Sequence, residues 1–432
     1  MRGTLRRRGE SWEIAYDVGR QACQRCVACK RREWRGPRKL EVCPTCGGEM
    51  SERVERRQQF RSGFRTKKDA QRALTAALRA VDTGSYVDPS KQTLAHYLLD
   101  EWLPARKPKQ RTGRRHRGQV SLGTWSSYKG DLQAHVIPRI GDIRLQALTP
   151  ADLNRLYDEL EESGGRGGRG LSGKTVANVH GVLHKALADA VKQDKVVRNV
   201  ADAVDPPKAS KPRTDVWTVE ELRAFLLHVH GDRLYAAWLL FATTGMRRGE
   251  VAGLTWPDLD LDGGTARIEW TLGVVDSKPT WKPRPKSEAG ERSMSLDPST
   301  VQALREYRKQ QSEERLACGA AWQHWREDWQ GEAREDVVFT WPDGALINPQ
   351  RLTKWFTRHC RDAGLPAIRL HDVRHTYATA ALASATGWHD VKVISKRLGH
   401  ASVGITLDTY SHVLPVADEQ AAHTLARVIL GK

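Results

Sequence analysis

Residues 370–376 read Leu-His-Asp-Val-Arg-His-Thr, and residues 406–412 read Thr-Leu-Asp-Thr-Tyr-Ser-His. Leu-Gly-His at 398–400 lies between them, and Thr-Gly-Met-Arg-Arg-Gly-Glu at 244–250 lies upstream. Cleavage of a phosphodiester requires cations on its oxygens, a nucleophile and a proton donor, because the oxygens are negative and the alkoxide is a poor leaving group. The four stretches supply these residue types, so they predict a site for phosphoryl transfer.

Each required role has a candidate side chain. Arg247 and Arg374 can each grip two phosphate oxygens, since a guanidinium is planar and permanently charged. Charge alone would equally allow Arg248 as the phosphate ligand. His371 lies three residues before Arg374, so on a helix both side chains share one face and can reach one phosphate. Tyr410 is the candidate nucleophile, and its attack would produce a covalent phosphotyrosine.

These four motifs, in this order, resemble the active site of the tyrosine recombinases of the phage integrase family. The resemblance implies that Tyr410 forms a 3′-phosphotyrosyl link and releases a 5′-hydroxyl. It also implies that His371 transfers a proton and that His400 hydrogen-bonds a non-bridging phosphate oxygen.

A lysine completes the resemblance. Lys286 corresponds to the hairpin lysine that protonates the leaving 5′-oxygen in this family, but Lys278 and Lys282 lie in the same basic run. Glu250 follows Arg247 by three residues, and an ion pair that orients the arginine is as good an interpretation as a chemical role.

The charge of the chain favours a polyanionic partner. The 432 residues contain 70 Lys and Arg against 52 Asp and Glu, which gives a net charge of +18. Residues 1–72 hold 20 of the basic and 9 of the acidic residues, so they carry more than half of the surplus. This balance predicts binding to double-stranded DNA. No membrane span or signal peptide is expected, and the predicted location is the cytoplasm, in association with the nucleoid.

Five of the 7 cysteines fall in one short segment, as Cys23-x-x-Cys26-x-x-Cys29 followed by Cys43-x-x-Cys46. In a reducing compartment such spacing indicates metal binding rather than disulfides. Cys26, Cys29, Cys43 and Cys46 are the preferred ligands of a structural Zn²⁺ in a zinc ribbon. Pairing Cys23 with Cys26 remains an open alternative.

The ribbon interrupts a small sheet. Residues 11–18 alternate apolar and polar side chains, residues 56–64 offer a second strand, and Thr66 with Asp69 predicts the cap of a helix that ends near residue 83. This arrangement resembles the three-stranded sheet plus helix that holds arm-type DNA sites in many phage integrases. We therefore expect an arm-type DNA-binding module at residues 1–91, with the zinc ribbon at about 21–50.

Residues 92–208 read as a helical domain. Apolar side chains recur at helical spacing, among others at 93–103, 121–136 and 174–191, and Thr149 before Pro150 is a typical helix start. The resemblance implies that this domain binds the core site.

Residues 213–432 read as the catalytic domain, mainly helical with a small sheet. Thr218 with Glu221 predicts the cap of its first helix, and helices are expected to carry the arginines, His371 and Tyr410. Strands at 266–275 and 292–296 should flank the lysine turn. The predicted fold class is therefore a multidomain α+β protein.

The resemblance implies a site-specific integrase of a mobile element that acts as a homotetramer on core and arm sites of DNA, with a host bending factor or an excision factor as possible partners. Neither ATP nor catalytic Mg²⁺ is expected. Two alternatives are a catalytically inactive DNA-binding regulator on the same fold, and a nuclease or transposase that uses carboxylates and Mg²⁺.

Overall fold

A computed structural model describes residues 3–34, 40–108, 119–208, 215–282, 292–324, 334–385, 388–410 and 430. The chain divides into two compact units. The first comprises Met1–Pro104 and Asp131–Ala209, and the second comprises Ala105–Gly130 and Ser210–Lys432.

Nine strands and fifteen α-helices lie in the described residues. The strands are β1 (Gly3–Arg8), β2 (Ser11–Cys26), β3 (Arg32–Trp34), β4 (Met50–Phe64), β5 (Leu259–Asp260), β6 (Thr265–Ile268), β7 (Thr271–Val275), β8 (Lys278–Lys282) and β9 (Arg292–Ser295). The helices are α1 (Lys67–Asp82), α2 (Leu94–His96), α3 (Leu103–Arg106), α4 (Leu122–Asp131), α5 (Ile137–Ile140), α6 (Pro150–Ser163), α7 (Gly173–Lys192), α8 (Val219–His228), α9 (Tyr235–Thr244), α10 (Arg248–Ala252), α11 (Pro298–Cys318), α12 (Pro349–Asp362), α13 (Leu370–Ala383), α14 (Trp388–Leu398) and α15 (Val403–Tyr410).

Two long antiparallel strands dominate the beginning of the first unit. β4 pairs with β2 along nearly its whole length, while β1 and β3 pair with β2 at residues 11–16 and 23–25. The sequence predicted two short strands with a separate ribbon between them. Instead, β2 continues to Cys26 and β4 begins at Met50, so the cysteine segment is an extension of the same two strands.

Helix α1 covers one face of this sheet. Ile14 and Tyr16 of β2 are buried with Ala70, Leu74 and Ala77 of α1. The predicted cap is confirmed, since the Thr66 hydroxyl accepts a hydrogen bond from the Asp69 N–H at 3.1 Å.

The remaining part of the first unit is helical, as the sequence predicts. One face of α7 is buried and includes the predicted Val179, Leu183 and Leu187. Tyr97 begins a π-helical segment, Tyr97–Trp102, between α2 and α3, and its hydroxyl donates to the carbonyl of Ala186, which joins this segment to α7. The cap at Thr149 is confirmed as a reciprocal capping box with Asp152.

The second unit has a large aromatic core. The rings of Trp217, Phe225 and Phe356 contact one another with centroids 5.1–5.5 Å apart, and Trp238 packs beside them. The predicted Thr218 cap, with Glu221, begins α8 beside this core. Helices α9, α10 and α13 bury apolar residues in this core, and α14 packs against α13 in a separate cluster, so the ends of these four helices are held near one another.

The strand predicted at 266–275 is two strands. β6 pairs with β5 and β9, while β7 forms a separate hairpin with β8. Among the residues that the structure describes, no helix combines the length and apolarity needed to cross a bilayer.

Candidate active site

Arg247 lies just before a helix, not within one as the sequence predicted. Helix α9 ends at Thr244 and is capped by Gly245, which has φ 63°, and Arg247 then lies in an extended conformation at the N-cap of α10. The Glu250 carboxylate accepts a hydrogen bond from the Arg247 N–H at 2.8 Å and from Arg247 Nη1 at 2.9 Å. The three-residue spacing therefore makes a helix cap that also orients the guanidinium.

Glu250 is buried between two arginines. It is 3% exposed, and besides Arg247 it accepts from Nη1 and Nη2 of Arg292 at 3.2 and 2.8 Å. Burial raises the pKa of this carboxyl, but the hydrogen bonds and charge of Arg292, together with the charge of Arg247, outweigh it and lower the pKa to about 2. Glu250 is thus a permanently charged anchor rather than a proton donor.

Arg374 projects from α13 into the protein and is 4% exposed. Its Nη1 donates to the Gly245 carbonyl at 2.7 Å, and its Nη2 donates to the Leu398 carbonyl. The Nη2 of Arg247 donates to the next carbonyl, that of Gly399, at 3.2 Å. The two arginines predicted to bind phosphate therefore converge on the last turn of α14.

His400 follows this turn directly. Its Nδ1 lies 2.8 Å from the Thr406 hydroxyl on α15. Burial, and after it the charges of Arg374 and Arg247, lower the pKa of His400 to about 4. At neutral pH the ring is uncharged, so one ring nitrogen accepts while the other can donate.

His371 lies in the first turn of α13, one turn before Arg374. Its ring meets that of His375 edge-on, with centroids 5.2 Å apart. Desolvation by the surrounding protein, followed by the charges of His375 and Arg374, lowers the pKa of His371 to about 4. A neutral imidazole at this position can accept a proton.

The structure describes the other candidate residues only in part. Tyr410 is the last residue of α15, and its side chain lies outside the described residues. Lys286 also lies outside them. Lys278 and Lys282 are the first and last residues of β8. Arg248 donates to the Thr353 hydroxyl on α12.

Two residues of this site were missed by sequence reasoning. Arg292 was predicted only as the start of a strand, and Thr406 only as part of a motif. The signal for Thr406 was present, because it precedes Tyr410 by four residues and therefore shares its helix face. No local signal identifies Arg292, whose partners lie 42 and 105 residues away.

A second cluster lies at the far end of β2 and β4. The sulfurs of Cys26, Cys29, Cys43 and Cys46 all lie within 4.8 Å of one another, with Cys26–Cys46 at 3.5 Å and Cys29–Cys43 at 3.6 Å. Tetrahedral zinc thiolates have Zn–S bonds of about 2.3 Å, which separates their sulfurs by about 3.8 Å. Cys23, the alternative ligand, is buried on β2 opposite Arg53 and does not join the group.

Backbone geometry around these thiols also suits a metal. Backbone N–H groups of Thr45 and Cys46 help to lower the pKa of Cys43 to about 6, although burial opposes them. A Cβ on Gly48 would lie 3.2 Å from the sulfur of Cys26 and 3.4 Å from that of Cys46. A glycine therefore lets the chain pass close to the sulfurs, and the four cysteines fit a tetrahedral thiolate site.

Comparison with known proteins gives two family matches. Residues 216–416 match the phage integrase family, and residues 114–160 match the N-terminal SAM-like domain of phage integrases. The first match contains the arginine, histidine and tyrosine motifs described above.

Two curated relatives match this chain over most of their own length. A protein of Caldanaerobacter subterraneus described as tyrosine recombinase XerC-like is 25% identical over 84% of this chain and 90% of its own. The ICEBs1 integrase of Bacillus subtilis is 27% identical over 65% of this chain and 71% of its own.

A solved structure shares the fold. The Tn1549 transposon integrase, in complex with transposon right-end DNA, has a TM-score of 0.57 at 21% sequence identity and covers 78% of this chain and all of its own.

Proposed function

The chain belongs to the phage integrase family and is a tyrosine-type site-specific recombinase, and we propose that it cleaves and rejoins DNA through a 3′-phosphotyrosyl intermediate to integrate and excise a mobile element. One observation carries the proposal. Arg247 and Arg374 come from separate elements, yet donate to the adjacent carbonyls of Gly399 and Leu398, directly before His400. Two guanidinium groups held together beside a neutral histidine suit one scissile phosphate.

The proposed steps follow from these side chains. The Tyr410 oxygen attacks phosphorus while His371 accepts its proton, and the bond from phosphorus to the 5′-oxygen breaks. Lys286 protonates the departing 5′-oxygen, and Arg247 and Arg374 stabilise the charge on the non-bridging oxygens. Because one phosphodiester replaces another, the reaction needs no ATP, and because the two arginines and Lys286 supply the positive charge and the proton, it needs no catalytic Mg²⁺.

His400 is proposed to assist as a hydrogen-bond donor. If its Nδ1 accepts from the Thr406 hydroxyl, then the ring proton resides on Nε2, which can donate to a non-bridging oxygen. Thr406 would thereby select the tautomer and link it to the helix that carries Tyr410.

We propose three functional domains on this chain. Residues 1–91 bind arm-type sites, residues 92–208 bind the core site and residues 213–432 catalyse the reaction. Cys26, Cys29, Cys43 and Cys46 would hold one structural Zn²⁺, which fastens the ends of β2 and β4 and takes no part in strand exchange.

The proposed assembly is a homotetramer on double-stranded DNA, with two core sites brought together and each strand exchanged in turn. A host bending factor or an excision factor would set the direction. Such a protein works on the nucleoid in the cytoplasm.

The test uses a core-site duplex from the element's own junction, nicked so that the 5′ fragment diffuses away after cleavage. Wild-type protein should accumulate a DNA-linked species that maps to Tyr410 by mass spectrometry. Tyr410→Phe should bind the same duplex with unchanged affinity and form no such species.

Two other results would favour other functions. Binding of the duplex by wild-type protein without any covalent product would support a DNA-binding regulator. Loss of cleavage in EDTA, by protein that retains its zinc, would support chemistry by carboxylates and Mg²⁺.

A further inference from the structure

The end of α14, together with Gly399 directly after it, accepts hydrogen bonds from three guanidinium groups through three consecutive carbonyls. The final carbonyls of a helix have no partner within the helix and carry partial negative charge, so they attract cations. The three pairs are Arg292 Nε to Arg397 O at 2.7 Å, Arg374 Nη2 to Leu398 O, and Arg247 Nη2 to Gly399 O at 3.2 Å.

Arg292 differs from Arg374, which is also buried, because it pairs with a carboxylate, and it differs from Arg247 because its side chain is enclosed. Its side chain is 1% exposed, and its three nitrogens are directed at Arg397 O and the Glu250 carboxylate. The charge of this guanidinium therefore faces a buried carboxylate rather than a phosphate. Its contacts instead join the end of α14 to the start of α10.

The contacts continue to Arg247 through Glu250. One carboxylate oxygen accepts from Nη1 of both arginines, and the other accepts from Arg292 Nη2 and the Arg247 backbone N–H. Each oxygen of the carboxylate therefore binds both arginines. A displacement of this carboxylate would move both the backbone and the guanidinium of Arg247.

We propose that Arg292 is a positioning residue for the reaction, which acts on the phosphate through Glu250 and Arg247. The inference rests on the proposed function and adds a residue to it. Arg292 fixes the Glu250 carboxylate and the last turn of α14, and these hold the two ends of Arg247 before DNA binds. Without Arg292, Arg247 would still be present but would no longer be aimed at the non-bridging oxygens.

The prediction concerns the charge that develops on those oxygens. We compare Arg292→Met with wild type in single-turnover cleavage of two nicked core-site duplexes, one with a normal scissile phosphate and one with a methylphosphonate. The methyl group removes the negative charge that Arg247 stabilises, so a misplaced Arg247 should matter less on that substrate.

Removal of one preorganised donor typically costs about 100-fold or more in rate. We expect Arg292→Met to slow cleavage of the phosphate by about 100-fold, and to slow cleavage of the methylphosphonate by less than about 10-fold. Arg247→Ala should show the same pattern. Arg292→Lys, which keeps the charge but carries its donors on one nitrogen instead of a planar fork, should lie between wild type and Arg292→Met.

Arg233 provides a matched control, because it has the same kinds of contacts elsewhere in the second unit. It pairs with both oxygens of Glu314 and donates to the Thr340 carbonyl at 2.7 Å. Arg233→Met should change the two cleavage rates by the same factor. The ratio of the two rates is independent of the fraction of active protein, so it distinguishes positioning from lost stability.

If Arg292→Met yields no folded protein, the same ratio measured with Arg292→Lys and Glu250→Gln decides the question. Equal slowing of both substrates by the Arg292 variants, or no slowing at all, would overturn the inference. If wild type itself formed no product at Tyr410 on the normal phosphate, then the proposed function would fail instead.

Discussion

At the scale of single residues, two glycines direct their backbone carbonyls toward the arginines. Gly245 and Gly399 both have φ 63°, in the left-handed region that favours glycine, and their carbonyls accept from Arg374 and Arg247 respectively. The positions of both guanidinium groups therefore depend on residues without side chains.

Gly245→Ala should damage both stability and catalysis. Its Cβ would lie 2.6 Å from Cδ1 of Tyr377, whose hydroxyl accepts from Arg397 at 3.0 Å. Left-handed backbone costs a non-glycine residue about 1 kcal/mol, and the steric overlap adds to it. We expect the free energy of unfolding to fall by about 2 kcal/mol, and cleavage to slow at least about 10-fold.

The control is Gly364→Ala, since Gly364 has φ 64° and open space around its Cβ. In urea denaturation, the free energy of unfolding of this variant should fall only by the cost of the left-handed backbone. Its cleavage rate should be that of wild type. Equal effects of the two variants on cleavage would contradict the role assigned to the Gly245 carbonyl.

His400 should make the native state sensitive to acid. Its native pKa is about 4, below the ordinary value of 6.5. As the pH falls below 6.5, the unfolded chain binds a proton that the native protein does not bind until about pH 4, so acidification destabilises the native state in this range.

We expect His400 to contribute a loss of roughly 1 kcal/mol in the free energy of unfolding between pH 7 and pH 5, after allowance for screening by solvent. Urea denaturation followed by tryptophan fluorescence measures it. His400→Gln should show a smaller loss than wild type, and an identical loss would exclude His400 as its source.

Residue identity predicted part of this site. Arg247, His371, Arg374 and His400 were identified as candidates because each lies in a short motif whose own residues are neighbours in sequence. Arg292 could not be found in this way, since a buried arginine is defined by partners that only the folded chain brings near.

At the scale of elements, the local signals were the reliable ones. The caps at Thr66, Thr149 and Thr218 were predicted because cap and helix are neighbours in sequence. The strand at 266–275 was predicted as one, but is divided between two sheets. That division depends on the strands that pair with each half, and these are not visible in the local alternation of side chains.

The cysteine cluster yields a prediction for β2 and β4. Cys43→Ser should remove one of the four thiolates. Because metallothiolate sites of this kind contribute strongly to local folding, the variant should bind an arm-type duplex at least about 10-fold more weakly. Its cleavage of a bare core site should remain largely intact. Binding is measured by fluorescence anisotropy, and zinc content by mass spectrometry of the metal.

Cys318→Ser is the matched control, since Cys318 lies at the end of α11 and outside the cluster. It should retain both metal and arm-site affinity. Equal loss of arm binding and core cleavage in Cys43→Ser would show that the two activities are not separable.

At the scale of the whole molecule, charge should govern affinity. The net charge is +18, and more than half of it lies in residues 1–72. Each neutralised phosphate contributes about −0.9 to the slope of log affinity against log salt. We expect a steeper slope for a duplex that joins arm and core sites than for a core site alone, measured by anisotropy from low to high KCl. Equal slopes would mean that the first 72 residues do not contact phosphates.

The charge balance of the chain predicted binding to DNA, but the sequence did not show that the cysteines extend the same two strands that form the amino-terminal sheet. Because the strands are continuous, the cysteines are linked to the register between β2 and β4. Side chains alternate between the two faces of a strand, so a slip of one residue between β2 and β4 would turn every inward residue outward. Cys26 closes β2, while Cys43 and Cys46 precede β4. A metal bound by these cysteines would allow only one register between β2 and β4. It would therefore determine which arginines of β4 face outward.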